Sequence, residues 1–163
     1  RDANCTEKAL ATYQRRVKMG DWQEEVLWSW LQIGHLKNTL GYPYDEVLAS
    51  YLQAHGQNPA RSEPIYYMAE LYNKNRKHHL AYECINNWQL QPKSEKLNLL
   101  FNNEWIEDYG FAFQLSIASF YIRKYQESLH LHDQLLTNPR LPENLRNQVE
   151  INRTFPLNLS KES

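Results

Sequence analysis

Apolar and polar residues alternate with a helical period along nearly the whole chain. In "TEKALATYQRRVKM", residues 6–19, Ala9, Tyr13 and Val17 fall four apart and so share one face of a helix. Gly20 closes that segment, and Asp21 supplies an N-cap for the next. There, over 22–38, Val26, Trp30, Ile33 and Lys37 form one stripe, with Trp28 and Leu31 beside it. Leu40-Gly41-Tyr42-Pro43 interrupts the pattern, because proline disfavours helix in the residue before it. A third helix follows in "YDEVLASYLQAHGQNP" and ends at Asn58-Pro59. A fourth opens at Glu63-Pro64 and runs through "IYYMAELYNKN", with Pro64 in a first turn where its missing N–H costs little. A fifth spans 79–90 and stops before Pro92. Residues 93–108 lose the period and read as an irregular insertion with one helical turn. From Tyr109 the pattern returns, with helices at 110–122 and 125–137, a break at Asn138-Pro139, and a last helix at 142–154. The tail, 155–163, is expected to fray. The pattern predicts an all-α chain of seven to eight helices joined by short Gly- or Pro-marked turns, in one domain over 1–163.

The spacing also repeats. Ala69 and Ala81 sit 12 apart, each the small residue of its helix, and Ser116 and Ser128 show the same separation 47 positions later. Gly34 precedes Ala69 by 35. The longer step is the same unit enlarged by the irregular stretch. Small residues at such places let the two helices of a hairpin approach closely while large neighbours fill the grooves.

Composition narrows the reading. A chain of 163 residues with 5 Trp and 11 Tyr has material for one real core and is far too aromatic for disorder. A formal net charge of −1 gives no global basic field to attract nucleic acid. The local clusters Arg15-Arg16-Val17-Lys18 and Lys74-Asn75-Arg76-Lys77 read as solvated helix faces. Cys5 and Cys84, the only cysteines, define neither a disulfide framework nor a metal cluster, which fits a reducing, cytoplasmic setting. No apolar run reaches the roughly 18 residues needed to span a bilayer, and no secretory signal is visible. The opening at Arg1 rather than Met suggests a piece of a longer protein. N-x-[ST] triplets at Asn4, Asn152 and Asn158 are expected by chance in so Asn-rich a chain.

In this register the sequence resembles a tetratricopeptide repeat array, an α-α hairpin solenoid. Trp30, Ile33 and Gly34 match the first helix of one unit, and Tyr51, Ala54 and Pro59 its second. Ile65, Met68, Ala69, Tyr72 and Ala81 match the following unit, whereas Ser116, Ser128 and His132 make a weaker third. The units cover approximately 22–59, 62–92 and 109–139; residues 6–19 resemble an orphan second helix and 142–154 a capping helix. The order "YQRRVKMGDWQEEVLWSWLQIG", "YLQAHGQNPARSEPIYYMAELY", "LAYE", "LFNNEWIEDYGFAFQLSIASFYI" and "LPENLRNQVEINRTF" is more narrowly similar to a tetratricopeptide-like region found beside family-2-type glycosyltransferase domains. That resemblance implies a non-catalytic scaffold or protein-interaction module, accessory to a larger glycosyltransferase-type protein. Its partner would be a protein or peptide, or a covalently linked glycosyltransferase domain. The alternatives are a free-standing peptide-binding repeat protein and a module that binds a carbohydrate acceptor.

The chain's own chemistry offers no competing enzyme. No Asp-x-Asp on a strand and no nucleotide-binding strand-loop is present. His78 and His79 diverge by about 100° on a helix, and His130 and His132 diverge further, so no metal or other cofactor is expected. Glu24, Glu25, Glu104, Glu107 and Asp108 read as helix-start charges, Ser116 and Ser119 lack a nucleophile-elbow context, and Cys84 lies on an apolar face. What the resemblance implies instead is a binding surface on the first helix of each unit. It consists of Trp28, Leu31, His35 and Asn38, then Glu63, Tyr66, Glu70, Asn73 and Lys74, with Arg61 at the unit junction. In the third unit the matching positions are Gly110, Phe113, Ile117, Phe120 and Tyr121, apolar enough to suggest cover by another element.

Overall fold

The computed structural model describes residues 3–19, 23–92 and 103–162. These form eight α-helices: α1 Ala3–Met19, α2 Gln23–Thr39, α3 Tyr44–Gln57, α4 Ser62–Lys74, α5 His78–Leu90, α6 Phe111–Tyr121, α7 Tyr125–Thr137 and α8 Glu143–Glu162. No strand occurs among the described residues. Each helix packs on the next, and α4 also reaches α6, and α6 reaches α8. No described helix is long and apolar enough to cross a membrane.

Three turns share one geometry. After α2, Leu40 N–H donates to Leu36 O (2.9 Å), Gly41 N–H to Asn38 O (3.2 Å) and Tyr42 N–H to Lys37 O (2.9 Å). The same three bonds follow α4 at Asn75, Arg76 and Lys77, and α6 at Ile122, Arg123 and Lys124. The central residue is left-handed each time, with φ of 78° at Gly41, 59° at Arg76 and 67° at Arg123. This is the double-bonded C-cap that glycine adopts without strain and arginine does not. The central residues stand 35 and 47 positions apart, the intervals that separate Gly34, Ala69 and Ser116. Beyond each turn the next helix buries a matching triplet: Val47, Tyr51 and Ala54 in α3, Ala81, Ile85 and Trp88 in α5, and Ser128, His132 and Leu135 in α7.

Close approach explains the small residues. A Cβ on Gly34 would collide with the buried Tyr51 ring. Ser128 Oγ donates to Ser116 O across the α6–α7 hairpin at 2.8 Å. The central core joins Leu27, Leu31, Ala54, Met68, Ala69, Ala81, Ile85 and Phe111, among others. Smaller clusters seat the ends, Leu10 with Ile33 and Leu36 under α1, and Leu135, Leu141 and Val149 under α8. Ala9, Tyr13 and Val17 pack along the first of these, as their spacing predicts.

The expected irregular insertion divides at the described boundary. Residues 93–102 lie outside the described residues, and Glu104–Trp105 begin a helix that widens into a π turn, Ile106–Gly110, before α6. There a Cβ on Gly110 would stand 2.9 Å from the Trp105 ring and 3.2 Å from the Tyr66 ring, so the bare glycine lets α6 lie against α4. The expectation of a frayed tail from 155 is corrected. α8 continues through Pro156 to Glu162, because Pro156 is buried and Phe155 packs on Phe120, 6.1 Å between ring centroids. That packing outweighs the hydrogen bond that proline removes from the helix.

Candidate binding site between the fourth and sixth helices

The second half of α4 places Glu70, Asn73 and Lys74 three and four residues apart, hence on one face. Opposite them α6 presents Phe113, Gln114, Ile117 and Tyr121, and Arg76 of the α4–α5 turn and His78 at the start of α5 complete the lining. Together these residues line a cavity of about 680 Å³ that is open to solvent on one side. The α6 wall is apolar apart from Gln114, and the other wall carries the carboxylate of Glu70 together with Asn73, Lys74, Arg76 and His78.

A hydrogen-bond chain sets the floor. Asn73 Nδ2 donates to Gln114 O (3.1 Å) and Gln114 Oε1 (2.9 Å), and Gln114 Nε2 donates to the Tyr66 hydroxyl (3.3 Å). His78 Nδ1 lies 2.9 Å from Asn73 Oδ1, an acceptor only, so Nδ1 carries the proton. The His78 ring stacks on Tyr121 at 4.1 Å with 11° between planes. Burial first, then the Arg76 and His79 charges, hold the His78 pKa below its ordinary value and keep the ring neutral at pH 7. Lys74 is drawn toward Glu70 Oε1, 3.6 Å away, though its side chain is 63% exposed and the pair is loose. Arg76 has no acidic partner among the described residues and is the less committed cation.

The ten positions expected on the binding surface divide sharply. Glu70, Asn73 and Lys74 come together in the cavity. Leu31, Arg61, Glu63 and Tyr66 do not: all four are buried and offer no open surface. Leu31 is in the core because α2 lies between α1 and α3 and buries more than one stripe. Tyr66 lies under Gln114 and Trp105, and burial pushes its hydroxyl up to about 12. Trp28, His35 and Asn38 lie on α2 and do not line the cavity. His35 Nδ1 and the Tyr51 hydroxyl share a hydrogen bond of 2.8 Å, Tyr67 meets the His35 ring edge-on at 4.3 Å, and burial lowers the His35 pKa to about 4. Of the third-unit positions, Gly110 is buried, and Phe120 is partly covered by Phe155 of α8, while Tyr121 stays 60% exposed.

Arg61 is held in a buried clamp. Its guanidinium forks onto Glu63 (2.8 and 2.7 Å) and reaches Glu24 at the start of α2 (2.6 Å). Desolvation opposes its charge, but the Glu63 hydrogen bonds and both carboxylates prevail and raise its pKa. Asn58 completes the joint by donating to Glu24 Oε1 (3.4 Å). The same joint recurs later, where Asn138 and Arg140 grip Asp108 at 3.1, 2.6 and 2.8 Å. Both begin at an Asn-Pro pair whose Asn side chain accepts from the backbone two residues on, Ala60 and Arg140 respectively.

Arg76, His78 and Gln114 were missed as cavity residues. The signal was the Arg-Lys pair at 76–77, repeated at 123–124 in the equivalent turn, which reads as a solvated face when taken alone. Among the described residues no group of three or more His, Cys, Asp and Glu side chains could hold a metal ion. Burial pushes the Cys84 thiol up to about 12, which makes it inert. All three N-x-[ST] asparagines lie within helices rather than loops. Comparison of the chain with protein-family models, with curated proteins and with solved structures finds no match in any of the three.

Proposed function

We propose that this chain is a non-catalytic, tetratricopeptide-like helical-repeat module that holds an extended peptide segment in the cavity between α4 and α6. The observation that carries this reading is the make-up of that cavity. An apolar wall of Phe113, Ile117 and Tyr121 faces Asn73, Arg76 and Lys74, the last loosely paired with Glu70, across about 680 Å³. Amide side chains can pair with a peptide backbone, the two cations favour a carboxylate, and the wall accepts apolar side chains. The three equivalent turns and the matching buried triplets support the repeat register. Stacked repeats make such a surface without chemistry. The glycosyltransferase association rests on sequence resemblance alone, and within it this module would position a linked catalytic domain or its acceptor.

The test is a titration of the chain with peptides that carry an acidic residue beside apolar ones, run with a nucleotide-sugar turnover assay on the same preparation. Binding that weakens when Lys74 and Arg76 are neutralised is expected. Turnover abolished by a single substitution in this chain would overturn the module reading. A full-length gene product with an upstream nucleotide-sugar domain would favour the accessory role over a free-standing one.

A further inference from the structure

A second cavity, of about 170 Å³, opens where α6, α7 and α8 meet, lined by Ile117, Phe120, Tyr121, His132, Asn152 and Phe155 among others. Its size suits one six-membered ring, since a cavity of about 150 Å³ lined by apolar side chains takes up benzene. Its lining is mostly aromatic, and Phe155 is 53% exposed. One polar atom is unaccounted for. His132 is 1% exposed, and its Nε2 has no hydrogen-bond partner. Its Nδ1 lies 2.6 Å from Ser128 O, which only accepts, so Nδ1 carries the proton and Nε2 a bare lone pair. Burial lowers the pKa of this ring, so that lone pair persists at neutral pH. A buried acceptor left unpaired favours any donor that can reach it.

Ile117 and Tyr121 line both cavities, so the two are neighbours along α6. We propose that the smaller cavity receives the phenol ring of a tyrosine carried by the same acidic segment that fills the larger one, with the phenol O–H donating to His132 Nε2. This rests on the peptide-binding reading above. An aliphatic side chain would leave the lone pair unanswered, and a phenylalanine ring would fill the space without the hydrogen bond. The extension of α8 past residue 154 then has a purpose, because it supplies Phe155 as the outer wall.

The experiment titrates the full chain with p-cresol and with p-xylene, its isostere without a donor, while following the imidazole nitrogens of His132 by NMR. The expected result is p-cresol binding that shifts Nε2, with p-xylene about tenfold weaker, the scale of one neutral hydrogen bond. Phe155→Ala, a change at a half-exposed ring, should weaken p-cresol about tenfold. Equal affinity for the two probes, or p-cresol binding that leaves Nε2 unmoved, overturns the proposal. A second arm compares peptides carrying an acidic residue and, two to five positions on, Tyr or Phe. A Tyr preference of about tenfold supports the proposal. Acid-dependent binding indifferent to Tyr or Phe overturns it and leaves the larger-cavity reading standing. Binding of p-cresol at His132 with no effect of acidic residues supports the phenol pocket and removes the reading on which the peptide rests.

Discussion

Replacing Arg61 with leucine removes the centre of the joint that holds α2, the α3–α4 turn and α4 together. The guanidinium is 4% exposed and Glu63 is 2% exposed, so neither is compensated by water. After the substitution Glu63 keeps, among the described residues, only Asn103 Nδ2, at a long 3.4 Å, for its Oε2 atom. Removing one partner of a buried ion pair costs about 3–5 kcal/mol, mostly as the penalty of an uncompensated buried charge. For a domain of this size each kcal/mol moves the midpoint by about 2–4 °C, so the expected fall in Tm is roughly 6–20 °C. The double variant Arg61→Leu/Glu63→Leu should recover much of the loss. It removes both ends of the most buried pair, and Glu24, with its side chain 15% exposed, can turn to water and Asn58. Urea unfolding of the wild type, the single and the double variant checks the order. A single variant that loses less than about 1 kcal/mol, or a double that is less stable than the single, would refute the buried-clamp argument.

Other expectations follow from the same physics. Gly34→Val should cost about 1–3 kcal/mol in urea unfolding, because the new side chain meets the Tyr51 ring, 4% exposed and tied to His35. His35 has a folded pKa of about 4 against an ordinary 6.5, so the stability it contributes is present above 6.5 and fades as pH falls toward 4. Between pH 7.5 and 5 that amounts to about 2 kcal/mol, and His35→Gln should flatten the pH dependence of the urea midpoint by that share. The Arg140–Asp108 joint is open to solvent, so Arg140→Ala should shift Tm far less than Arg61→Leu and lose its effect in high salt. The Arg140 hydrogen bond lowers the Asp108 pKa, so the difference between Arg140→Ala and wild type should also vanish below the ordinary carboxylate range.

Periodicity made the helices legible because each buries a stripe against a neighbour, and the stripe survives even where the register is weak. The 125–137 helix matches α7, and the others differ by a few residues, apart from α8. The missed extension of α8 has a tertiary cause. Pro156 argues locally for a stop, and only the contact of Phe155 with Phe120, 35 residues earlier, outweighs it. The α4 side of the candidate cavity was legible, because Glu70, Asn73 and Lys74 share a face whatever surrounds them. It was not legible at Arg61 and Glu63. Charged residues near a helix start look solvated in sequence, and their burial depends on Glu24, 37 positions away.

The Asn-Pro pairs at 58–59 and 138–139 have a variant in the intervening unit. Gln91-Pro92 stands where the other units have Asn-Pro. Between α4 and α6 the described polar bonds are Asn73 to Gln114 and Gln114 to Tyr66, which also form the cavity floor. A residue there would serve both packing and the proposed binding, so its substitution cannot report on binding alone. Asn73→Ala should lower both the urea midpoint and peptide affinity, since it frees Gln114 and the His78 N–H together. Lys74 and Arg76 are the separable probes, because both are exposed and neither belongs to that chain of bonds. Lys74→Ala combined with Arg76→Gly, which also relieves the left-handed strain, should leave the midpoint unchanged or slightly raised. Affinity for an acidic peptide should fall about tenfold or more with the loss of the two cations, and the remainder should no longer depend on salt. Unchanged affinity in that variant, measured beside an intact midpoint, would move the binding site away from this cavity.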